Sequence, residues 1–286
     1  MILIQAHTKN LVDRALDSQA HAYLLAGPEG AGKGYLARHI ATERLGLKTL
    51  DDLEKQPYLK IIAPADGSIG IDQVRELQKF LRLKTVGRKS VRRIAILEDA
   101  HTMTSEAQNA LLKNLEEPPA DTIVILTAPA TRQIKDTIYS RVQTIAVLPV
   151  TLNQAQDYFT AQFEPAAIEK AFRMSGGYAG LLVALLHDDD HALAAAVQTA
   201  KSIMTSSTFE RLTRVDELSK QKDDLPTLLR ACRLIASAAL HQAIIKGNQS
   251  TIKHWHHTAA LLHDTEASLA YTPNARLLLT NVFLRM

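Results

Sequence analysis

Short apolar runs alternate with longer amphipathic segments over the first half of the chain. An apolar run of about four to eight residues is typical of a buried β-strand, and apolar residues at every third or fourth position are typical of a helix. The predicted strands are AYLLA (22–26), LKIIAP (59–64), RIAILED (93–99), TIVILTA (122–128) and TIAVL (144–148). The predicted helices are NLVDRALDSQA (10–20), KGYLARHIATERL (33–45), IDQVRELQKFL (71–81) and SEAQNALLKNLEE (105–117). This alternation predicts an α/β domain with a five-stranded parallel sheet covered by helices on both faces.

The alternation stops after Pro149, and the rest of the chain is rich in Ala and Leu at helical spacing. A Gly-Gly pair at 176–177 and a polar stretch near 188–191 interrupt this helical part. The chain is therefore predicted to contain an α/β domain, a small helical domain and a larger helical domain, with the bounds 1–150, 151–187 and 188–286.

The composition is that of an ordinary globular protein, because 46% of the 286 residues are hydrophobic and 22% are charged. The single cysteine, Cys232, excludes an internal disulfide and a multi-cysteine zinc site, and its apolar neighbours predict a place in a core. No apolar run approaches the ~20 residues of a membrane span, and the N-terminal MILIQAHTKN does not resemble a signal peptide. We therefore expect a cytoplasmic location and no membrane partner. The net charge of +3 permits a nucleic-acid partner without requiring one.

The segment GPEGAGKG (27–34) joins a predicted strand to a predicted helix, which is the setting of a phosphate-binding loop. It matches the signature G-x-x-x-x-G-K, in which backbone N–H groups and the amino end of the helix face phosphate oxygens. The residues predicted to bind nucleotide here are Gly27, Gly30, Gly32, Lys33 and Gly34. Gly34 stands where the signature has a Ser or Thr hydroxyl that binds magnesium. ATP and magnesium binding is therefore expected to be weak or lost.

An acidic pair, Glu98 and Asp99, follows the third predicted strand, where a nucleotide-hydrolysing enzyme places its acids. In ATPases of the AAA+ class the first acid is usually Asp, which supports magnesium, and the second is usually Glu, which positions the attacking water. Here the two are exchanged, so Asp99 is one methylene shorter than the usual base, and in-line attack tolerates little misplacement. The pair predicts an inherited site that does not hydrolyse ATP.

The segment 98–143, EDAHTMTSEAQNALLKNLEEPPADTIVILTAPATRQIKDTIYSRVQ, resembles the core of bacterial clamp-loader subunits. The matching elements are A-H-T-M-T after the acids, the A-Q-N-A-L-L-K helix, the L-E-E-P-P helix end and the I-Y-S-R segment. The C-terminal TPNARLLLTNVFLRM (272–286) is similar to the last collar helix of such subunits. The family is the gamma/tau and delta-prime group of DNA polymerase III, within the AAA+ ATPases. The resemblance implies a P-loop domain, a helical lid and a helical collar that holds subunits together.

The resemblance also assigns roles to single residues. Ser140-Arg141 matches the S-R of the family's S-R-C motif, which implies that Arg141 acts as an arginine finger in the neighbouring subunit's site. Thr127 falls near the family's sensor position at the end of the fourth strand. The turn SGGYAGLL (175–182) corresponds to a second sensor but lacks its Arg.

These departures favour delta-prime over gamma/tau. The magnesium-binding hydroxyl, the order of the acids and the sensor Arg, which act on the chain's own nucleotide, are all altered, whereas the finger Arg141 is kept. The resemblance implies a subunit that helps to load a sliding clamp on primed DNA during replication. Its partners would be gamma/tau-like and delta-like subunits, the clamp and DNA. The family's four-cysteine zinc module has no counterpart in residues 45–60, so no zinc is expected.

Two alternatives remain open from the sequence. One is a catalytically active, gamma-like clamp-loader ATPase with unusual magnesium coordination. The other is a nucleotide kinase, because the adenylate-kinase loop also carries Gly after its Lys. Tyr35 replaces the Thr that follows in that loop, and a helix precedes the first strand here, so the kinase is the weaker alternative.

The stretch RLKTVGRKSVRR (82–93) contains six basic residues and no acid. It predicts either a contact with DNA phosphates or a solvated loop, and the sequence does not decide between them. The residues assigned to the possible DNA contact are Arg82, Lys84, Arg88 and Lys89.

Overall fold

The computed structural model describes residues 2–18, 20–28, 30–65, 67–85, 91–129, 134–187, 192–221, 224–269 and 274–286. The chain groups into two compact units. One comprises 1–154 with 178–181, and the other comprises 155–177 with 182–286. The finer division of the helical part at residue 187 stays a prediction.

The described residues of the first unit form a five-stranded sheet in which every neighbouring pair is parallel. The strands are β1 (Ala22–Ala26), β2 (Leu59–Ile62), β3 (Arg93–Leu97), β4 (Thr122–Ala128) and β5 (Gln143–Ala146). Their order across the sheet is β2-β3-β4-β1-β5. The helices of this unit include α1 (Ala6–Asp17), α2 (Lys33–Leu45), α3 (Leu50–Glu54), α4 (Ile71–Leu81), α5 (Ser105–Glu116) and α6 (Asp136–Tyr139).

Side chains alternate between the two faces of each strand, so each face of the sheet has its own apolar core. Along β1, Leu24 belongs to the core that α4 and α5 cover, whereas Tyr23 and Leu25 belong to the core that α1 and α2 cover. These three side chains are fully buried, and each such burial contributes about 1.5–3 kcal/mol before entropy is counted. The predicted α/β fold with helices on both faces is confirmed.

The rest of the described chain contains helices joined by loops, and no strand is found among its described residues. The helices are α7 (Leu152–Phe159), α8 (Pro165–Ser175), α9 (Ala179–His187), α10 (Ala192–Thr205), α11 (Thr208–Thr213), α12 (Val215–Leu218), α13 (Leu225–Lys246), α14 (Gln249–Leu269) and α15 (Ala275–Arg285). The long helix α13 packs against α10 and α14, and an ion pair of 2.9 Å between Arg233 and Glu266 links α13 to α14. Cys232 is buried in this unit, as its apolar sequence neighbours predict. Among the described helices, none combines the length and apolar character that crossing a bilayer requires.

Candidate functional site

The glycine-rich loop lies at the carboxyl edge of the sheet, between the end of β1 and the start of α2. Gly30 and Gly32 adopt φ angles of 79° and 87°, a left-handed conformation that side chains other than Gly rarely enter. Gly32 is the residue that caps α2, so the amino end of this helix opens directly onto the loop. The structure therefore places the predicted loop residues in one turn around the helix end.

Lys33 is buried and folds back over its own loop. Its Nζ donates hydrogen bonds to the carbonyl oxygens of Gly27, at 2.8 Å, and Pro28, at 2.9 Å. A Cβ at Gly27 would lie 2.9 Å from the carbonyl oxygen of Val147, so this position has room only for Gly. The ammonium group is thus held at the loop by backbone oxygens.

Arg38 stands beside the position where the signature has its magnesium-binding hydroxyl. Its Nη1 lies 2.6 Å from Glu98 Oε1 and 3.1 Å from the carbonyl oxygen of Gly34. A Cβ at Gly34 would lie 3.1 Å from the same Glu98 oxygen and 3.2 Å from the same Arg38 nitrogen. The guanidinium therefore occupies the space between the start of α2 and the end of β3.

These residues do not fit a bound magnesium ion. Magnesium requires oxygen ligands in a nearly octahedral arrangement at about 2.0–2.1 Å. Gly34 brings no side-chain oxygen, and Glu98 is already bound to a guanidinium.

Asp99 follows β3 in a left-handed conformation, with φ of 48°, and is the one non-glycine among the described residues with positive φ. Its N–H donates to the hydroxyl of Thr127, at 2.9 Å, and Thr127 is buried at the end of β4. Asp99 and Thr127, which were predicted separately, therefore meet at the carboxyl edge of the sheet.

His101 also belongs to this edge, although the sequence did not indicate it. Burial holds the pKa of His101 below its usual value, the charge of Asp99 acts in the opposite direction, and the charge of Lys33 lowers the pKa further. Its Nδ1 is buried without a hydrogen-bond partner. The imidazole therefore favours its neutral form.

Residues 179–181, where the turn that lacks the sensor arginine runs into α9, lie against the phosphate loop. The N–H of Leu181 donates to the carbonyl oxygen of Gly30, at 2.8 Å. A Cβ at Gly180 would lie 2.8 Å from both the N and Cα atoms of Gly32. Position 180 thus has no room for a side chain without movement of the turn or the loop.

Arg141 lies at the opposite, amino edge of the sheet. Its Nη2 is 2.7 Å from Glu116 Oε1, and its Nη1 donates to the carbonyl oxygen of Thr137 and to the hydroxyl of Ser140, both at 2.9 Å. About a third of the side chain, 34%, is exposed. It lines an open cavity of about 730 Å³ together with His21, Leu115, Glu116, Ser140, Val142 and Gln143.

The two edges are separated by the length of β1. His21, on the Arg141 cavity, immediately precedes β1, and the phosphate loop immediately follows it. Five residues of extended strand span roughly 17 Å. Arg141 and the chain's own phosphate loop are therefore not one site.

A second cavity at the amino edge, of about 480 Å³, contains part of the basic stretch. Arg82 and Lys84 line it and are exposed, whereas Arg88 and Lys89 lie outside the described residues. The sequence did not indicate that Asp121 also lines this cavity, at 3.2 Å from Arg92. An acid therefore stands among the basic side chains, and the assignment of a DNA contact stays a prediction.

Comparison with known proteins agrees with the resemblance. The family model described as "DNA polymerase III, delta subunit" matches residues 4–151, more than half of the chain. A DNA polymerase III subunit delta' of Pseudomonas aeruginosa is 35% identical over 176 residues, covering 55% of this chain and 53% of that protein. The corresponding subunit of Bacillus subtilis is 31% identical over 158 residues, covering 51% and 47%. The chain thus spans about half the length of these curated relatives.

A solved structure agrees with the fold along nearly the whole chain. It is a DNA polymerase III, gamma subunit-related protein of Thermotoga maritima, with a TM-score of 0.54, 17% sequence identity and coverage of 97% of both chains. At this identity the likeness concerns the fold alone.

Proposed function

Because this chain belongs to the DNA polymerase III, delta subunit family, we propose that it is a delta-prime-type subunit that helps to load a sliding clamp on primed DNA. It would assemble with gamma/tau-like and delta-like subunits and supply a finger to a neighbouring ATPase without hydrolysing ATP itself. The observation that carries this proposal is the separation of Arg141 from the chain's own phosphate loop by the length of β1.

The position of Arg141 supports the proposed finger role. A partly exposed guanidinium beside an open cavity can reach a phosphate that an adjacent subunit presents. A guanidinium offers five N–H donors in a planar fork, which suits the developing charge on a transferring phosphoryl group. Glu116 holds this fork at 2.7 Å and orients it toward the cavity that both residues line.

The arrangement at the carboxyl edge supports the proposal that the chain does not hydrolyse ATP at its own site. Hydrolysis requires a metal to neutralise developing charge and an acid that orients the attacking water. Arg38 pairs with Glu98 at 2.6 Å, which engages the first acid. Asp99 is short and lies in a left-handed conformation. Neither acid is arranged for catalysis.

The test is the DNA- and clamp-stimulated ATPase activity of the reconstituted loader with single changes in this chain. We expect Arg141→Ala to lower turnover at the neighbouring site by about 10³ or more, and Lys33→Ala to leave turnover unchanged. Arg173→Ala is a matched control, because Arg173 pairs with Glu169 on the exposed face of α8.

Each other outcome has a definite meaning. Loss of activity with Lys33→Ala would overturn the silent-site proposal in favour of an active, gamma-like ATPase. No loss with Arg141→Ala would refute the finger. Phosphoryl transfer to a nucleoside monophosphate by the isolated chain would instead support the kinase.

A further inference from the structure

A guanidinium of the protein lies between the start of α2 and the acid that follows β3. Nη1 of Arg38 contacts both the carboxylate of Glu98 and the backbone of Gly34, at 2.6 and 3.1 Å. In a working loop of this type, a hydroxyl at position 34 and an acid after β3 would face a magnesium ion. Arg38 thus bridges the same two elements that a metal ion would bridge.

The ends of the Arg38 and Glu98 side chains lie close to the space that a side chain at position 34 would enter. A Cβ at position 34 would approach the Glu98 oxygen and Arg38 Nη1 to 3.1 and 3.2 Å, which is tighter than most real contacts. The branched side chain of Thr would bring further atoms toward this pair. A side chain at position 34 would therefore require the ends of the Glu98 or Arg38 side chains to shift by a few tenths of an ångström.

A guanidinium can replace a metal ion in binding phosphate, because it supplies positive charge and N–H donors. It cannot coordinate and activate a water molecule as a metal ion does. It stays charged at every physiological pH and binds phosphate through paired N–H groups. Both contacts of Arg38 go to Nη1, so the fork has further donors to offer. Lys33 adds a second fixed positive charge. At the start of α9, Leu181 N–H donates to the carbonyl oxygen of Gly30 and Gly180 packs against the backbone of Gly32, so a ligand would meet the loop on the side of Lys33 and Arg38.

We propose that Arg38, held by Glu98, takes the place of magnesium and makes this loop a metal-independent site for a polyphosphate group, such as the diphosphate of a nucleotide. The side chains of Arg38 and Glu98 are 28% and 26% exposed, so a ligand at the loop can reach them. This site is independent of the proposed role of Arg141, which lies at the other edge of the sheet.

The test is the binding of ADP and of inorganic pyrophosphate to the purified full chain, by calorimetry, in EDTA and in excess magnesium. We expect binding in EDTA that excess magnesium does not strengthen, because magnesium competes with Arg38 for the phosphate oxygens of the ligand. Arg38→Ala should bind at least tenfold more weakly in EDTA. Arg38→Lys keeps the charge without the fork and is expected to lie between the two. Arg75→Ala, which breaks an exposed pair with Asp72, is the matched control and should bind as the wild type does.

The wild-type comparison can overturn the proposal even where a variant fails to fold, and the variants locate the site. Affinity that rises tenfold or more with magnesium would overturn it, and so would the absence of binding in both buffers. Binding that survives Arg38→Ala but is lost in Arg82→Ala would place the anion in the basic cavity instead, which also overturns it. None of these results depends on a partner subunit, so they are separate from the test of Arg141.

Discussion

The carboxyl and amino edges of the parallel sheet both carry cationic side chains, but these side chains differ in what they contact. At the carboxyl edge, Lys33 and Arg38 are bound to the protein's own oxygens. At the amino edge, Arg141 is bound to Glu116 but stays partly exposed beside an open cavity. We call the carboxyl edge inward because its cations contact the phosphate loop and the acid after β3, and the amino edge outward because its guanidinium borders an open cavity. The exposed fractions of Arg38 and Arg141, 28% and 34%, are similar, so the difference lies in what each guanidinium faces.

The largest effect that sharpens this comparison is expected from Arg141→Lys in the assembled loader. Lys keeps the positive charge but loses the planar fork, so turnover at the neighbouring site should fall by about 10² or more. Single-turnover ATP hydrolysis on primed DNA measures the effect. A matched Arg38→Lys change should leave this rate unaltered. Equal losses of turnover from Arg141→Lys and Arg38→Lys would mean that the two edges do not differ in their effect on the neighbouring site.

The second test concerns the contact between Gly180 and the phosphate loop. Gly180→Ala puts a methyl group 2.8 Å from Gly32, which should lower the free energy of unfolding by about 1–3 kcal/mol through overpacking. Urea denaturation of the full chain measures the change. Gly70→Ala is the control, because a Cβ there meets nothing within 4 Å. An unchanged midpoint for Gly180→Ala would mean that the turn moves away from the loop at little cost.

The fold could be predicted because its signals are local. The apolar runs gave the bounds of β1 and β4, and the apolar periodicity gave α2 and α4, as the structure has them. The phosphate loop was also predictable, because its glycines and Lys33 lie within eight consecutive residues. Such features depend on backbone conformation and on near neighbours in sequence.

The arrangement at the carboxyl edge could not be predicted in the same way. Arg38 follows Gly34 by one helical turn, which was visible, but its partner Glu98 lies 60 residues further along the chain. The contact of Gly180 with Gly32 likewise joins distant segments. The exchanged acids indicated a damaged site, whereas only the packing of α2 against β3 shows that a guanidinium fills it.

The third prediction tests the amino edge through Asp121. Burial alone would raise the pKa of Asp121, but the hydrogen bond from Thr85 and the charges of Arg93 and Arg92 outweigh it, so the pKa lies below its usual value. Asp121→Asn should therefore lower the free energy of unfolding by about 2 kcal/mol at pH 7, where the carboxylate is ionised in both states.

The loss of stability in Asp121→Asn keeps its sign at every pH and becomes smaller in acid. A lowered folded-state pKa stabilises the protein above the unfolded-state pKa, and this contribution is lost as pH falls through the folded-state pKa. The gap between wild type and Asp121→Asn should therefore close below about pH 4. Asp72→Asn, at an exposed ion pair, should change stability little. A gap that persists in acid would show that Asp121 acts through packing rather than charge.

The smallest effect is expected from Glu116→Gln. This change tests whether Glu116 orients the guanidinium of Arg141 at the amino edge. An exposed ion pair is worth about 0.2–1 kcal/mol, so the neighbouring site's turnover should fall by roughly twofold to fivefold without a change in KM. Glu169→Gln removes a comparable exposed pair on α8 and should leave turnover unchanged. A rise in turnover with Glu116→Gln would mean that the carboxylate competes with the neighbour's phosphate for Arg141. In that case a carboxylate would compete with phosphate for the guanidinium at both edges, for Arg38 through Glu98 and for Arg141 through Glu116. The two edges would then differ only in how strongly this competition acts.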